Sequence, residues 1–351
     1  MSQFSMTPTE VKNGVIECMQ AGLVPFVTGS PGVGKSAIMK QIAEEYNLFL
    51  IDIRLSTYAP EDLTGLPHFI DKDGIKKASH VPFDQFPTEN DPIPEGYSGW
   101  LAFLDEANSA SKSIQAASYK LILDRMSGQY NLHENVFIVA AGNLATDRAI
   151  VTQMGTAMQS RLIHMELQIS NSEFMANAVK EDYDYRVRGF LDFQPGKLHQ
   201  FDPNHNDKTF ACPRTWEFAS RLCKGKAFKD INLKLLTGTL SQGVAIEFYT
   251  FMKEFGNLPK YSEIVGSPTT LPVPEKTSTR YAILTMLLDK FNKADFPDVV
   301  KYARRFPAEI QAVYFRGILQ RDPKMRKNPD YLSNIDHLTD FLNNDDVDLA
   351  A

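Results

Sequence analysis

The sequence predicts an α/β fold with a parallel, doubly wound sheet of five strands, followed by regions built from helices. Short apolar runs alternate with helical segments up to about residue 169, and this alternation is typical of parallel βαβ units. From Ser170 onwards the pattern changes, because Ser170 and Glu173 form a capping box and the later segments indicate helices alone. The content of 43% hydrophobic and 23% charged residues is ordinary for a globular protein.

The first predicted element is a helix from Thr7 to about Gly22, because Thr7 and Glu10 form a capping box and Pro8 takes the first helical position. The five strands are predicted over residues 23–28, 49–55, 100–104, 136–141 and 163–167. Further helices are predicted over residues 37–46 and 112–125, and a hairpin turns at Asp73 and Gly74.

A phosphate-binding loop follows the first strand. Residues 29–36 fit the pattern G-x-x-x-x-G-K-[ST], in which backbone N–H groups and a helix N-terminus point at phosphate oxygens. Lys35 would reach the β- and γ-phosphates of a nucleotide, and the Ser36 hydroxyl would bind Mg²⁺. The predicted nucleotide-binding residues are Gly29, Ser30, Pro31, Gly32, Val33, Gly34, Lys35, Ser36 and Ala37.

Two further strands end in polar residues. The strand from Trp100 ends in Asp105 and Glu106, which would hold Mg²⁺ and orient the attacking water, respectively. The strand from Val136 is followed by Asn143, which would bond to the γ-phosphate or to that water. In both cases the alternative is a polar residue in a solvated turn.

Composition excludes several classes of protein. The chain has no run of 18 apolar residues, so we expect no membrane span, and its first residues do not resemble a signal peptide. Its three cysteines lack metal-binding spacing, which favours a reducing compartment, and we expect a cytoplasmic protein. A net charge of −6 argues against a protein coated in nucleic acid, although a local basic patch remains open.

Between about residues 5 and 225 the chain resembles the MoxR branch of the AAA+ ATPases. Residues 59–65 (APEDLTG) resemble a P-S-D-[IL]-x-G stretch of that branch, and residues 104–108 (LDEAN) resemble its Walker B motif. Asn143 matches the sensor 1 position, residues 160–162 (SRL) match its Asp-Arg-Phe, and residues 212–215 (CPRT) resemble its sensor 2.

The resemblance implies roles for two arginines. Arg161 would be the finger that acts on the neighbouring subunit, and Arg214 would be the sensor 2 residue at the start of a lid helix. Ser160 departs from the branch, which has Asp before the finger. Arg148 is a second candidate for the interface arginine. The alternatives are an ordinary exposed Arg161, and an Arg214 that caps its helix or pairs with Glu217.

The resemblance also implies the domains and the function. An AAA+ core would cover residues 1–169, a helical lid residues 170–266, and an extra helical region residues 280–351 after a Pro/Thr-rich linker. The expected activity is ATP hydrolysis with Mg²⁺ at the subunit interfaces of a homo-oligomeric ring, a hexamer, that remodels or assembles a protein partner. A partner with a von Willebrand factor A domain is implied by the resemblance alone.

Two other functions remain open. A DNA-directed motor or loader would use basic residues in the pore, and Lys72, Lys76 and Lys77 lie on the predicted hairpin. The alternative is that these lysines only protect a solvated hairpin edge. A nucleotide-gated scaffold would bind ATP with little turnover. DNA-stimulated activity with a steep salt dependence would favour the motor, and very low turnover would favour the scaffold.

Overall fold

The computed structural model describes residues 5–147, 152–204 and 207–338. The chain divides between Ile169 and Ser170 into two compact units. Arg148 lies outside the described residues, so its role at a subunit interface stays a prediction. Within the described ranges, no helix combines the length and the apolar character needed to cross a bilayer.

The first unit contains all the strands of the described chain. They are β1 (Ser5–Met6), β2 (Val24–Thr28), β3 (Leu48–Arg54), β4 (Leu66–Lys72), β5 (Ile75–Val81), β6 (Gly99–Asp105), β7 (Met126–Ser127), β8 (Tyr130–Asn131), β9 (Val136–Gly142) and β10 (Leu162–Leu167). The helices of this unit are α1 (Pro8–Gln20), α2 (Lys35–Glu45), α3 (Pro60–Thr64), α4 (Lys112–Leu123) and α5 (Thr156–Gln159).

A parallel six-stranded sheet in the order β1-β10-β2-β9-β6-β3 forms the centre of this unit. The predicted fold class is confirmed, and all five predicted strands are present. The additional strand, β1, has two residues, of which Ser5 pairs with Glu166 and Met6 pairs with Leu167. So short a segment carries no alternation of apolar and polar residues, and only its partner strand identifies it.

Both faces of the sheet are buried. Along β6, Trp100 and Leu104 pack in the cluster that includes α4, whereas Leu101 and Phe103 pack against α1 and α2 on the other face. Successive side chains of a strand point to opposite faces, so a strand between two helical layers must be apolar throughout. The continuous apolar run that predicted this strand is explained by that position.

The register of the sheet aligns the carboxyl ends of four strands. Thr28 at the end of β2 lies opposite Gly142 at the end of β9, and Arg54 at the end of β3 lies opposite Asp105 at the end of β6. The β6–β9 pairing, with Leu104 opposite Ala140, joins the two pairs. Residues that follow these strands therefore meet at one edge of the sheet, where open α/β sheets bind ligands.

Two small antiparallel ribbons lie outside the central sheet. Strands β4 and β5 pair from Leu66 and Val81 to Lys72 and Ile75 around the predicted turn. In that turn Asp73 and Gly74 have φ angles of 57° and 75°, the left-handed conformation that a two-residue hairpin loop favours. The second ribbon pairs β7 with β8.

The second unit is helical in all of its described regular elements. Its α-helices are α6 (Asn171–Lys180), α7 (Tyr185–Phe193), α8 (Pro213–Cys223), α9 (Leu233–Leu240), α10 (Gln242–Glu254), α11 (Tyr261–Gly266), α12 (Thr277–Asp289), α13 (Phe296–Ala303), α14 (Ala308–Arg321) and α15 (Pro329–Ile335). Phe190, Trp216 and Phe248 form an aromatic centre, with ring centroids 5.4 to 5.5 Å apart.

The Pro/Thr-rich segment over residues 267–279 does not separate two compact units of the structure. The Tyr302 hydroxyl donates to the Pro272 carbonyl over 3.0 Å, and Arg305 donates to the carbonyls of Pro268 and Leu271. Helix α12 begins at Thr277, inside the predicted linker. Proline lacks an N–H, but its carbonyl accepts hydrogen bonds. A Pro-rich segment can therefore be held against neighbouring helices by hydrogen bonds to its carbonyl groups.

Candidate functional site

The phosphate-binding loop lies between β2 and α2. Gly32 and Gly34 have φ angles of 79° and 106°, which only glycine adopts without strain. Gly34 is the N-cap of α2 and makes no side-chain cap hydrogen bond, so the first N–H groups of this helix have no competing side chain there. Such a helix start attracts anions through its N–H groups and its dipole.

The Lys35 ammonium is surrounded by oxygen atoms. It donates to the Gly29 carbonyl over 2.5 Å, to the Ser30 carbonyl over 3.2 Å and to Asn143 Oδ1 over 3.3 Å. Lys35 is only 8% exposed, and lysine is buried to this degree only when its charge is well compensated. The ammonium thus lies between the loop and the end of β9, where it can exchange these acceptors for phosphate oxygens.

Ser36 and Asp105 meet beside the loop. The Ser36 hydroxyl donates to Asp105 Oδ2 over 3.4 Å, and the other carboxylate oxygen accepts the Glu106 N–H over 2.8 Å. A hydroxyl and a carboxylate are the oxygen ligands with which Mg²⁺ is held next to phosphates. The donor set therefore fits the predicted magnesium site.

Glu106 is held by the neighbouring strand. Its φ of 55° is unusual for a residue with a side chain, and such conformations cluster at functional sites. Its carboxylate accepts a hydrogen bond from the Ser56 hydroxyl and lies 3.7 Å from Arg54 Nε. Sequence reasoning did not identify Ser56 or Arg54 as partners of the site. The sequence signal that could have identified them is their position, because Arg54 lies at the end of the strand predicted over residues 49–55 and Ser56 follows it.

A further carboxylate lies close to the metal-binding position. Partial desolvation and the neighbouring charge of Asp105 raise the pKa of Asp52, against an opposing effect of Arg54. Asp52 lies on β3 opposite Phe103, next to the end of β6. The end of the sheet therefore concentrates negative charge, which a divalent cation would compensate.

Asn143 is fixed by a reciprocal pair of hydrogen bonds. Its N–H donates to Asn108 Oδ1 over 3.0 Å, and its carbonyl accepts from Asn108 Nδ2 over 2.7 Å. Asn108 is buried. Because the backbone of Asn143 is locked in this way, its side-chain oxygen is held towards Lys35. Sequence reasoning quoted Asn108 within a motif but gave it no role.

Gly142 leaves room for the Asn108 side chain that makes these two hydrogen bonds, which we call the Asn108–Asn143 lock. We expect Gly142→Ala to disrupt this lock. A Cβ at position 142 would lie 2.3 Å from Asn108 Oδ1. The crowding should lower the free energy of unfolding by about 1–3 kcal/mol and reduce the turnover of any reaction that uses Asn143. The stability measurement is urea unfolding followed by circular dichroism.

Gly238→Ala is the matched control, because nothing lies within 4 Å of a Cβ at that helical position. This control should gain about 0.5–1 kcal/mol, the ordinary difference between glycine and alanine within a helix. If Gly142→Ala were as stable as wild type, the close packing of Gly142 against Asn108 would have no energetic importance.

Arg161 lies away from the loop of its own chain. It precedes β10, whose first residue, Leu162, pairs with Val24 at the opposite end of β2 from the loop. Thr28 lies four residues further along β2, roughly 13 Å in an extended strand. The exposed guanidinium donates to the Ala157 carbonyl over 3.2 Å. The structure therefore does not bring Arg161 to the P-loop of the same chain.

Arg214 belongs to the second unit, where it is the second residue of α8 and is exposed. Among the described residues no ion pair joins Arg214 to Glu217, which instead accepts a hydrogen bond from Arg221. The helix begins with Thr215 Oγ1 accepting the Cys212 N–H over 2.8 Å. Arg214 is thus not needed to cap this helix.

The remaining loop residues form its walls. Val33 is buried in the core with α1 and α2, whereas Ser30 and Pro31 are half-buried and Ala37 is exposed at the start of α2. The structure thus brings together the P-loop, Ser36, Asp105 and Asn143, with Glu106 beside them.

Comparisons with known proteins give one family match within the first unit. Residues 25–167 match the family model described as an AAA domain of the dynein-related subfamily. No significant match to a curated protein sequence was found.

Solved structures were compared with the whole chain. The RuvB Holliday junction branch migration motor of Thermotoga maritima is 14% identical, with a TM-score of 0.38 and coverage of 75% of this chain and 76% of RuvB. A point mutant of the same Thermotoga protein is 14% identical, with a TM-score of 0.37 and coverage of 86% and 92%. An ATPase candidate of Cytophaga hutchinsonii is 12% identical, with a TM-score of 0.32 and coverage of 95% and 88%.

Structural similarities at this level identify no activity, whereas the family match coincides with the site. The matched range includes the P-loop, the two acidic residues that end β6, and Asn143. Apart from β1 and the first residue of β2, the strands of the central sheet and their aligned carboxyl ends lie in the same range. Residues 25–167 are therefore similar to an AAA domain of the dynein-related subfamily, in the range that holds the P-loop site.

Proposed function

We propose that the protein is a MoxR-like AAA+ ATPase that hydrolyses ATP at the subunit interfaces of a ring and uses the energy to remodel or assemble a protein partner. The observation that carries the proposal is the contact network in which the ammonium of Lys35 reaches Asn143 and the hydroxyl of Ser36 reaches Asp105. Three strand ends thereby supply a cation, a metal-binding pair and a polar amide to one edge of the sheet.

The residues of this edge divide the chemistry between them. The N–H groups of the loop and the Lys35 ammonium would bind the phosphate chain, and Lys35 would neutralise charge on the γ-phosphoryl group. Asn143 would hold the γ-phosphate or the attacking water. Ser36 and Asp105 would hold Mg²⁺, which supplies Lewis-acid neutralisation of the phosphate oxygens.

Glu106 would orient the water and accept its proton as the new P–O bond forms and the bond to the ADP oxygen breaks. Its carboxylate contacts Ser56 and Arg54, so this role requires it to exchange the Ser56 hydroxyl for the water. Ser56 is exposed, so water can replace the hydrogen bond that its hydroxyl loses. The exchange should therefore cost little free energy.

A ring is supported by the position of Arg161. An arginine that stabilises the transition state must reach the γ-phosphate, and Arg161 lies at the opposite end of β10 from the loop of its own chain. A neighbouring subunit could present Arg161 from outside, which requires an oligomer, and a homo-oligomeric ring such as a hexamer satisfies the requirement at every site. Arg214 would act from the second unit as the sensor of nucleotide.

The β4–β5 hairpin supports a role in contacting a partner. Phe69 is 82% exposed and Ile75 is 60% exposed, and both flank the turn together with the exposed Lys76 and Lys77. Exposed apolar residues next to lysines provide both buried area and orientation for a macromolecular partner. We propose this hairpin as the part of the ring that touches the remodelled protein, with a von Willebrand factor A-domain protein as a candidate partner.

The experiment that tests the function is the ATPase rate per subunit as a function of protein concentration, with mass photometry on the same samples. A rate that rises as rings form would support catalysis at interfaces. A constant rate from a monomer would overturn the ring, and negligible turnover within intact rings would favour a nucleotide-gated scaffold. Stimulation by DNA with a steep salt dependence would favour the DNA-directed motor instead.

A further inference from the structure

The second unit contains a cavity that the proposed ATPase chemistry does not use. Its volume is about 90 Å³, and helices α6, α7, α12 and α14 line it. A cavity of this size has room for roughly six waters. All of its lining residues lie between Asn171 and Arg321, within a single compact unit.

Three arginines line this cavity: Arg188 from α7 and both Arg316 and Arg321 from α14. Arg188 is 8% exposed, and its Nε has no hydrogen-bond partner among the described residues. A buried guanidinium with an unsatisfied donor is costly unless a partner supplies the missing acceptor. The wall of the cavity therefore presents a donor for which the protein itself offers no acceptor.

Four aspartates, Asp289, Asp182, Asp192 and Asp184, act electrostatically on Arg188, and the first two also act on Arg321. Arg188 and Arg321 both lie 3.7 Å from the same oxygen of Asp289, which is longer than a hydrogen bond. Burial lowers the pKa of each of these two guanidinium groups, and Arg188 also lowers that of Arg321 by repulsion. Two like charges thus share their closest carboxylate oxygen at a distance beyond hydrogen bonding.

The only acidic residue in the described lining is Asp192. Burial raises its pKa to about 7, although Arg188 and Arg316 oppose the rise. Near neutral pH this carboxyl group is therefore partly protonated, and the cavity has a net positive charge. The lining also includes the apolar residues Leu191, Leu288 and Val313.

We propose that this cavity binds a small organic oxyanion of the phosphate monoester class, with its phosphate at the three arginines and its apolar part against the leucines and Val313. Guanidinium groups donate pairs of parallel hydrogen bonds to phosphate oxygens, and a dianion matches several converging arginines better than a single carboxylate does. The site is independent of nucleotide binding at the P-loop and would let a small metabolite act on the second unit.

The first test measures binding to the full chain by isothermal titration calorimetry, with phenyl phosphate as the probe and inorganic phosphate as a second ligand. A Lys35→Ala background removes most phosphate binding at the P-loop. We expect phenyl phosphate to bind with one site per chain and more tightly than inorganic phosphate. Arg321→Gln should weaken binding at least tenfold, because one charge-assisted pair of hydrogen bonds is lost.

Arg326→Gln is the matched control, since Arg326 is exposed and lies outside the cavity lining on the same chain segment. It should bind phenyl phosphate as the background protein does. Absence of binding, or equal affinity in the Arg321→Gln and background proteins, would overturn the proposal. Equal loss in both arginine variants would indicate attraction by net charge alone and would overturn it as well.

A second measurement needs no cavity variant, in case Arg321→Gln fails to fold. Phenylglyoxal modifies accessible arginines, and mass spectrometry locates the modified residues. Phenyl phosphate should slow the modification of Arg316 and Arg321 severalfold and leave Arg326 unchanged. Equal modification of all three with and without phenyl phosphate would contradict the proposal.

Discussion

Glu106→Gln is expected to bind ATP with the affinity of the wild-type protein and to hydrolyse it about 10²- to 10⁴-fold more slowly, the usual contribution of a positioned general base. Glutamine has nearly the same shape as glutamate, so it should preserve the contact with Ser56, but its amide cannot accept the proton of the attacking water. The loss would therefore appear in kcat and not in nucleotide binding. Fluorescent-nucleotide titration and a phosphate-release assay measure the two quantities.

Glu134→Gln is the matched control for this prediction. Glu134 is exposed and lies two residues before β9, at the opposite end of that strand from Asn143, so its loss should leave turnover unchanged. A second reference is Lys35→Ala, which should lose ATP binding itself because the ammonium at the loop is gone. Normal turnover by Glu106→Gln would show that another group orients the water, and Asp52 would then be the nearest carboxylate to examine.

The sequence was sufficient to predict most of the first unit. Apolar runs marked the five longer strands, and the chain order of strands and helices implied a parallel sheet with its loops at one edge. The pattern could not reveal β1, which exists only because Ser5 and Met6 pair with β10. In the second unit the sequence indicated helices, but whether the segment over residues 267–279 separates two bodies depends on distant contacts such as that between Tyr302 and Pro272.

The candidate site was predictable where a single segment forms it and unpredictable where two segments meet. The P-loop is one continuous pattern, and Asp105 and Glu106 directly follow a strand. The lock between Asn108 and Asn143 joins residues that are 35 positions apart, and the bond between Ser56 and Glu106 joins residues 50 positions apart. Such pairs depend on the register of β3, β6 and β9, which no local pattern specifies.

The arginine-lined cavity is another site that sequence patterns could not predict, because segments far apart in the chain form it. Arg188, Arg316 and Arg321 lie on two helices more than 120 residues apart in the chain. Only the packing of α12 against both α7 and α14 brings these positions to one cavity. A helical pattern predicts a buried apolar stripe, so charged residues beside it are assigned to the solvent.

The second large effect is expected for Arg161→Ala, which should keep ATP binding and lose assembly-dependent hydrolysis by about 10³-fold, the lower end of what an arginine finger contributes. The side chain of Arg161 is exposed and, among the described residues, donates only to the nearby Ala157 carbonyl, so its removal should cost little stability. Arg221→Ala, which removes another exposed arginine, should retain wild-type turnover.

Mixing two inactive proteins separates action on a neighbour from action within one chain. Arg161→Ala subunits retain Glu106, and Glu106→Gln subunits retain Arg161, so an interface between them can combine both groups in one site. In a randomly mixed ring at equal amounts, about a quarter of the sites would contain an intact Glu106 and face an intact Arg161. Activity should therefore return to about a quarter of the wild-type rate.

If Arg161 served the site of its own chain, each mixed ring would contain only defective sites and no activity would return. The position of Arg161 at the far end of β10 from the P-loop of its own chain favours recovery. Mass photometry must show mixed rings of the same size in either case, because failed assembly would also give no activity. Recovery in rings of unchanged size would connect the geometry of one chain to the catalytic unit, which is the interface between two.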